Sequence, residues 1–134
     1  MSVESEEARQ QSGVTAAHRP PAPSYRQLNP EEVAKRVGSN RLLLSKLVRL
    51  FASVTPPLIE ECRAALQRGD PNHLRDVAHR LKGSASYFSA CVSERAATVE
   101  RLADSPENDK RAAAVDALAQ GVEELIAELQ QFAG

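Results

Sequence analysis

The stretch Asp70-Pro71-Asn72-His73-Leu74-Arg75-Asp76-Val77-Ala78-His79-Arg80-Leu81-Lys82-Gly83-Ser84-Ala85-Ser86-Tyr87-Phe88 decides the fold. Asp70 is a good N-cap residue, and Pro71 suits a first helical turn, where the N–H it lacks has no intrahelical partner to lose. Leu74, Val77, Ala78, Leu81, Ala85 and Phe88 then recur at helical spacing. On a wheel of about 100° per residue with His79 at zero, these apolar residues fall between roughly 160° and 260°. His79 therefore points away from the core. Gly83, Ser86, Arg75 and Lys82 lie within roughly 60° of it on either side. One exposed face thus carries an imidazole, a lysine one turn on, an arginine one turn back, and a missing side chain beside the ring.

Both flanks of this helix are also helical. Upstream, Asn29 caps a short helix with Pro30 at its first position and Glu31 and Glu32 near its positive end; it runs to about Arg36 and stops at Gly38. A second helix starts near Asn40 with Leu43, Leu47, Leu50 and Phe51 as its apolar stripe, widened by Leu44 and Val48. Pro56 and Pro57 are expected to kink or interrupt it before Ile59, Cys62 and Leu66 resume the same period up to Gly69. Downstream, a helix from Ser89 or Ala90 carries Val92, Ala96, Val99 and Ala103 and ends at Asp104-Ser105-Pro106. The last runs from about Glu107 to Phe132 and buries Val115, Leu118, Val122, Leu125, Ile126 and Leu129. No strand-like alternation and no internal repeat occurs.

Short connections make consecutive helices antiparallel neighbours. The expected fold is all-α: an antiparallel up-and-down four-helix bundle over residues 25–134, with a short additional N-terminal helix laid over one end. Residues 1–24, with Glu4, Glu6, Glu7 and the run Arg19-Pro20-Pro21-Ala22-Pro23, show no period and read as a flexible Pro-rich arm or linker. His18 within it is incidental.

Composition agrees with a helical core and narrows the function. Of 134 residues 42% are hydrophobic but only 4% aromatic, a palette of Ala, Leu and Val. Lys+Arg 17 against Asp+Glu 18 gives a net charge of -1, which argues against a nucleic-acid partner. That balance hides local contrast: Arg75, Arg80 and Lys82 outnumber Asp76 around His79, whereas the last helix is acidic. Apolar runs such as Leu42–Leu44 fall far short of the roughly 20 residues of a membrane span, and no signal peptide is evident, so no membrane insertion is expected. Cys62 and Cys91 read as small apolar fillers of a reduced, cytoplasmic chain.

Mid-helix glycine costs about 1 kcal/mol relative to alanine, so Gly83 calls for a compensating role. Four residues beyond an exposed histidine, it clears space over the ring, while Ser84, Ala85 and Ser86 keep the neighbourhood small. Lys82 can reach a group attached to the imidazole, and its ammonium suits a phosphoryl group. These residues meet the needs of a nucleophile that takes phosphate from another protein.

The stretch HRLKGSASYFSA, together with the Leu/Phe-rich helix before Pro56 and the segment Ala64–Asp70, resembles the histidine phosphotransfer (HPt) domains of two-component phosphorelays, across approximately Leu28 to Phe132. The resemblance implies that His79 is the phosphorylated nucleophile, Lys82 neutralises the phosphoryl group and Gly83 gives the partner clearance. Arg75, Arg80, Ser84, Ser86 and Tyr87 are the expected partner-binding residues. Ser89 stands where the family often has glycine; serine is a good N-cap there. The family commonly orients the imidazole from the next helix, for which Thr98, Glu100 and Arg101 are the candidates. The resemblance further implies receiver domains of response regulators or a hybrid sensor kinase as partners, with Mg²⁺ on the receiver and no cofactor bound by this monomeric chain, which lacks a phosphate-binding glycine loop and any kinase activity of its own.

Two alternatives have different consequences. A helical adaptor would dock a receiver or other partner without being phosphorylated. A metal-binding bundle would use Asp76-x-x-His79, but such a centre needs inward-facing motifs on two helices, and His79 points outward.

Overall fold

The computed structural model describes residues 25–133; residues 1–24, including the expected arm and His18, lie outside the described residues. Five helices follow in order: α1 (Pro30–Val37), α2 (Arg41–Arg68), α3 (Pro71–Ser86), α4 (Ala90–Leu102) and α5 (Asn108–Ala133). No strand occurs among the described residues. Each of the first four starts on a side-chain cap, three of them expected from the sequence. Asn29 accepts from the Glu32 N–H, Asn40 from Leu43, Asp70 from His73 and Ser89 from Val92. At the other end of α2, Gly69 adopts φ 69°. Its N–H reaches the Leu66 carbonyl, and the Asp70 N–H reaches that of Ala65, the paired bonds of a Schellman motif that only a left-handed residue permits cheaply.

The side-chain register makes every neighbouring pair antiparallel. Along α3, Arg75, His79 and Lys82 meet Asp104, Glu100 and the Ser93 hydroxyl, in descending order along the chain. Between α2 and α5, Arg41 meets the Ala133 carbonyl and Arg63 meets Asp116. Helices α2, α3, α4 and α5 close into a four-membered ring around Leu74, Leu81, Val99, Leu118, Leu125 and Leu129, all buried. Gly121 is buried against α4, where a Cβ would lie 3.0 Å from Arg95 Nη1 and 3.4 Å from a Val92 methyl.

Helix α1 lies across the end where α3 turns into α4. The Asn29 N–H donates to the Phe88 carbonyl, and Arg36 Nη1 donates to the carbonyls of Ser86 and Tyr87 at 2.8 and 2.6 Å. The strap before α1 is fastened to α5: the Glu128 carboxylate accepts the backbone N–H groups of Arg26, Gln27 and Leu28 at 2.8–2.9 Å. Gln27 Nε2 donates to Glu124, and Tyr25 sits edge-on to Phe132.

Three expectations are corrected. Pro56 and Pro57 do not interrupt α2, which runs unbroken through both. An interior proline costs about 3 kcal/mol or more, but both rings face solvent while Thr55, Leu58, Ile59 and Cys62 stay buried on the opposite side, so packing outweighs the local penalty. Thr55 Oγ1 also donates to the Phe51 carbonyl at 2.7 Å. Second, the α2 core stripe is Leu44, Val48, Phe51 and Thr55; Leu43, Leu50 and Val54 are 38%, 59% and 39% exposed. Third, Cys62 is buried, and burial pushes its thiol up to about 12, whereas Cys91 is exposed in the first turn of α4 and fills nothing. By length and composition α2 passes for a membrane span, with mean hydropathy 1.5 in its most apolar window. In the bundle those apolar residues divide between the core and an exposed stripe beside α3.

Candidate functional site

The buried stripe of α3, Leu74, Val77, Ala78, Leu81 and Ala85, leaves His79 on the outer face with its side chain 66% exposed. Antiparallel packing brings Glu100 of α4 to the same level. Glu100 Oε2 lies 2.9 Å from His79 Nδ1, and Oε1 lies 3.0 Å from Lys82 Nζ. The other two candidates for orienting the ring are turned elsewhere: Thr98 Oγ1 donates to the Glu94 carbonyl, and Arg101 leans on Thr98.

The hydrogen bond from Lys82, joined by that from His79, holds the Glu100 carboxyl below its usual range despite partial burial, which pushes the other way. An ionised carboxylate only accepts, so Nδ1 must carry the proton. In the neutral ring the lone pair is then on Nε2, at the opposite edge, which has no hydrogen-bond partner among the described residues. A ring nitrogen exposed in this way is chemically able to act as a nucleophile.

Gly83 is exposed, and a Cβ there would meet nothing within 4 Å. Packing does not require this glycine, which leaves open space beside the imidazole. Next to it, a groove of about 250 Å³ runs between α2 and α3, walled by Leu50, Val54, Ser84, Tyr87 and Phe88 and floored by Phe51. Tyr87 is half-buried, edge-on to Phe88, with the Arg36 guanidinium 5.3 Å from its ring centre.

The residues expected at the site are therefore distributed unevenly. His79 and Lys82 converge on Glu100, and Gly83, Ser84 and Tyr87 line the adjoining groove. Arg80 is exposed on the same helix. Arg75 is tied to Asp104 and Asn72, both at 2.9 Å, and Ser86 Oγ donates back to the Gly83 carbonyl. Among the described residues, no group of three or more His, Cys, Asp or Glu is arranged to hold a metal ion. Sequence reasoning put Leu43 and Leu50 in the core and did not single out Val54 or Arg36. Leu43, Leu50 and Val54 were assignable to a second face only by noticing that the α2 stripe is too wide for one core contact. Arg36 lies fifty residues from the carbonyls it binds and leaves no local signal.

The Hpt domain family model matches residues 46–133, from within α2 to the end of α5. The chain belongs to the Hpt domain family. No curated protein and no solved structure matches it. Hpt domains have a histidine phosphotransfer role in the phosphorelays of two-component signalling and interact there with receiver domains. The matched segment contains all four ring helices except the first turns of α2, together with His79, Lys82, Gly83 and Glu100; α1 and the strap before it lie outside.

Proposed function

We propose that this Hpt domain accepts a phosphoryl group from a receiver-domain aspartate onto Nε2 of His79 and passes it to the aspartate of a second receiver. The observation that carries this reading is the Glu100 carboxylate 2.9 Å from Nδ1, which leaves the Nε2 lone pair at the surface beside Gly83.

In the accepting step the Nε2 lone pair attacks phosphorus in line. An N–P bond forms, the P–O bond to the aspartate breaks, and its electron pair returns to the carboxylate. The Nδ1 proton remains against Glu100, which offsets the positive charge gained by the ring. Lys82 has three donors; one is spent on Glu100, and the others are available to phosphoryl oxygens. In the return step the N–P electron pair goes back to Nε2. Mg²⁺ belongs to the receiver and supplies charge neutralisation at its aspartate; this chain supplies the nucleophile, the cation and a landing surface.

That surface is the exposed α2 stripe of Leu43, Leu50 and Val54 with the groove beside Gly83. A partner delivering phosphorus to Nε2 has to cover it, and Arg80 adds a cation suited to a receiver's acidic pocket. The exchange takes place in the cytoplasm, where receivers work. Incubation with a phosphorylated receiver should yield an acid-labile, base-stable label that is lost in His79→Gln; label retained in that variant would overturn the assignment. The stripe would also serve a helical adaptor that is never phosphorylated, in which case His79→Ala leaves pathway output unchanged.

A further inference from the structure

Helix α1 lies outside the segment shared with the family, yet it grips the end of α3 and the turn after it, where Tyr87 and Phe88 line one end of the groove. The last carbonyls of a helix have no intrahelical donor. Here those of Ser86 and Tyr87 are both taken by Arg36 Nη1, and the same guanidinium lies 5.3 Å from the centre of the Tyr87 ring. The Asn29 N–H closes a third bond, to Phe88. Tyr87 and Phe88 form the end of the groove remote from His79, and Gly83 forms the near end.

A charged donor spanning two carbonyls fixes a backbone more firmly than a single neutral bond. An eight-residue helix does not persist alone, so the grip lasts only while α1 is seated by its buried Val33 and Val37 and by the strap bonds to Glu128. The chemistry of His79, by contrast, depends on Glu100 and Lys82, neither of which touches α1.

We propose that α1 is a docking clamp: Arg36 positions Tyr87 as the far wall of the groove and thereby sets how tightly a receiver domain binds. Arg36 is a positioning residue, acting through Tyr87. The inference rests on the phosphotransfer function proposed above.

The test is single-turnover transfer from a phosphorylated receiver, measured against receiver concentration with the full chain. Arg36→Ala should raise the half-saturating receiver concentration about tenfold and leave the plateau rate within about twofold, the signature of lost docking rather than lost chemistry. Tyr87→Ala should do the same, and the double variant should be no worse than either single one, because both remove one wall. Arg36→Lys, which keeps the charge but loses the planar guanidinium over the Tyr87 ring, should fall between; it carries the test if Arg36→Ala melts α1. Unchanged half-saturation in Arg36→Ala or Arg36→Lys, or additive effects of Arg36→Ala and Tyr87→Ala, overturns the clamp while transfer itself stands. Absence of label in the wild-type chain, or its retention in His79→Gln, overturns the underlying function and the clamp with it.

Discussion

The two halves of α2 share one core stripe and differ in everything else. Before Pro56, Leu44, Val48 and Phe51 face inward, and the flank toward α3 carries Leu43, Leu50 and Val54, all exposed. After Pro57, Leu58, Ile59, Cys62 and Ala65 continue the core, and the outer positions are Glu60, Arg63, Gln67 and Arg68. The second half is an ordinary solvated helix with Arg63 paired to Asp116 of α5 at 2.9 Å. The first half keeps apolar area in water, a cost of roughly 25 cal/mol per Å² that burial under a partner recovers. The landing surface proposed above therefore rests on which face of the helix the apolar side chains occupy, not on the helix's total hydrophobicity.

The sharpest break between the two roles lies within the first half. Phe51→Ala should cost about 3–5 kcal/mol of stability, measured by denaturant unfolding, because it empties a core position against Phe88. Leu50→Asp, one residue away, should change stability by no more than about 0.5 kcal/mol, as surface substitutions do. It should nevertheless raise the half-saturating receiver concentration about tenfold or more, since a charge would be buried under the partner. Equal stability losses for the two would erase the distinction between core and landing surface.

The glycines at the two ends of the comparison should respond with opposite signs. Gly83→Ala, beside the first half, fills open space in an ordinary helical turn and should stabilise the fold by about 0.5–1 kcal/mol while slowing transfer. Gly69→Ala, at the end of the second half, should destabilise by about 1 kcal/mol, since its φ of 69° is left-handed. Thermal unfolding of both variants checks the pair.

The smallest effect concerns the two histidine–glutamate contacts, His79–Glu100 at 2.9 Å and His73–Glu61 at 3.5 Å on the second half of α2. Lys82 and then His79 hold the Glu100 carboxyl below the usual glutamate value. The stability it contributes is complete above that value and is lost as pH falls through its lower folded-state value. A carbon-13 carboxyl titration should find Glu100 still ionised at pH values where exposed glutamates are protonated; a midpoint in the ordinary range would remove it as the fixed acceptor for Nδ1.

Much of this was legible in the chain. The caps Asn29, Asp70 and Ser89, the start of α2 near Asn40 and the outward direction of His79 follow from local sequence, because capping and helical phase are decided within a few residues. What escaped depends on contacts made at a distance. The continuity of α2 through Pro56-Pro57 comes from the core on its far side, and periodicity cannot divide a wide apolar stripe between interior and partner. Glu100 emerged from three candidates only once the α3–α4 register set it opposite His79. Cys91 looked like a filler because its place in the pattern suits one, but the first turn of α4 has nothing to fill.

The carboxylate of Glu128, holding three successive backbone N–H groups, also gives the chain a fixed point of entry. From there Asn29 reaches Phe88, nine residues along the chain from His79 and so roughly 13 Å at about 1.5 Å of rise per residue. Residues 26–28 are thereby pinned at one place on α5, so α1 starts from a fixed anchor before it crosses the end where α3 turns into α4.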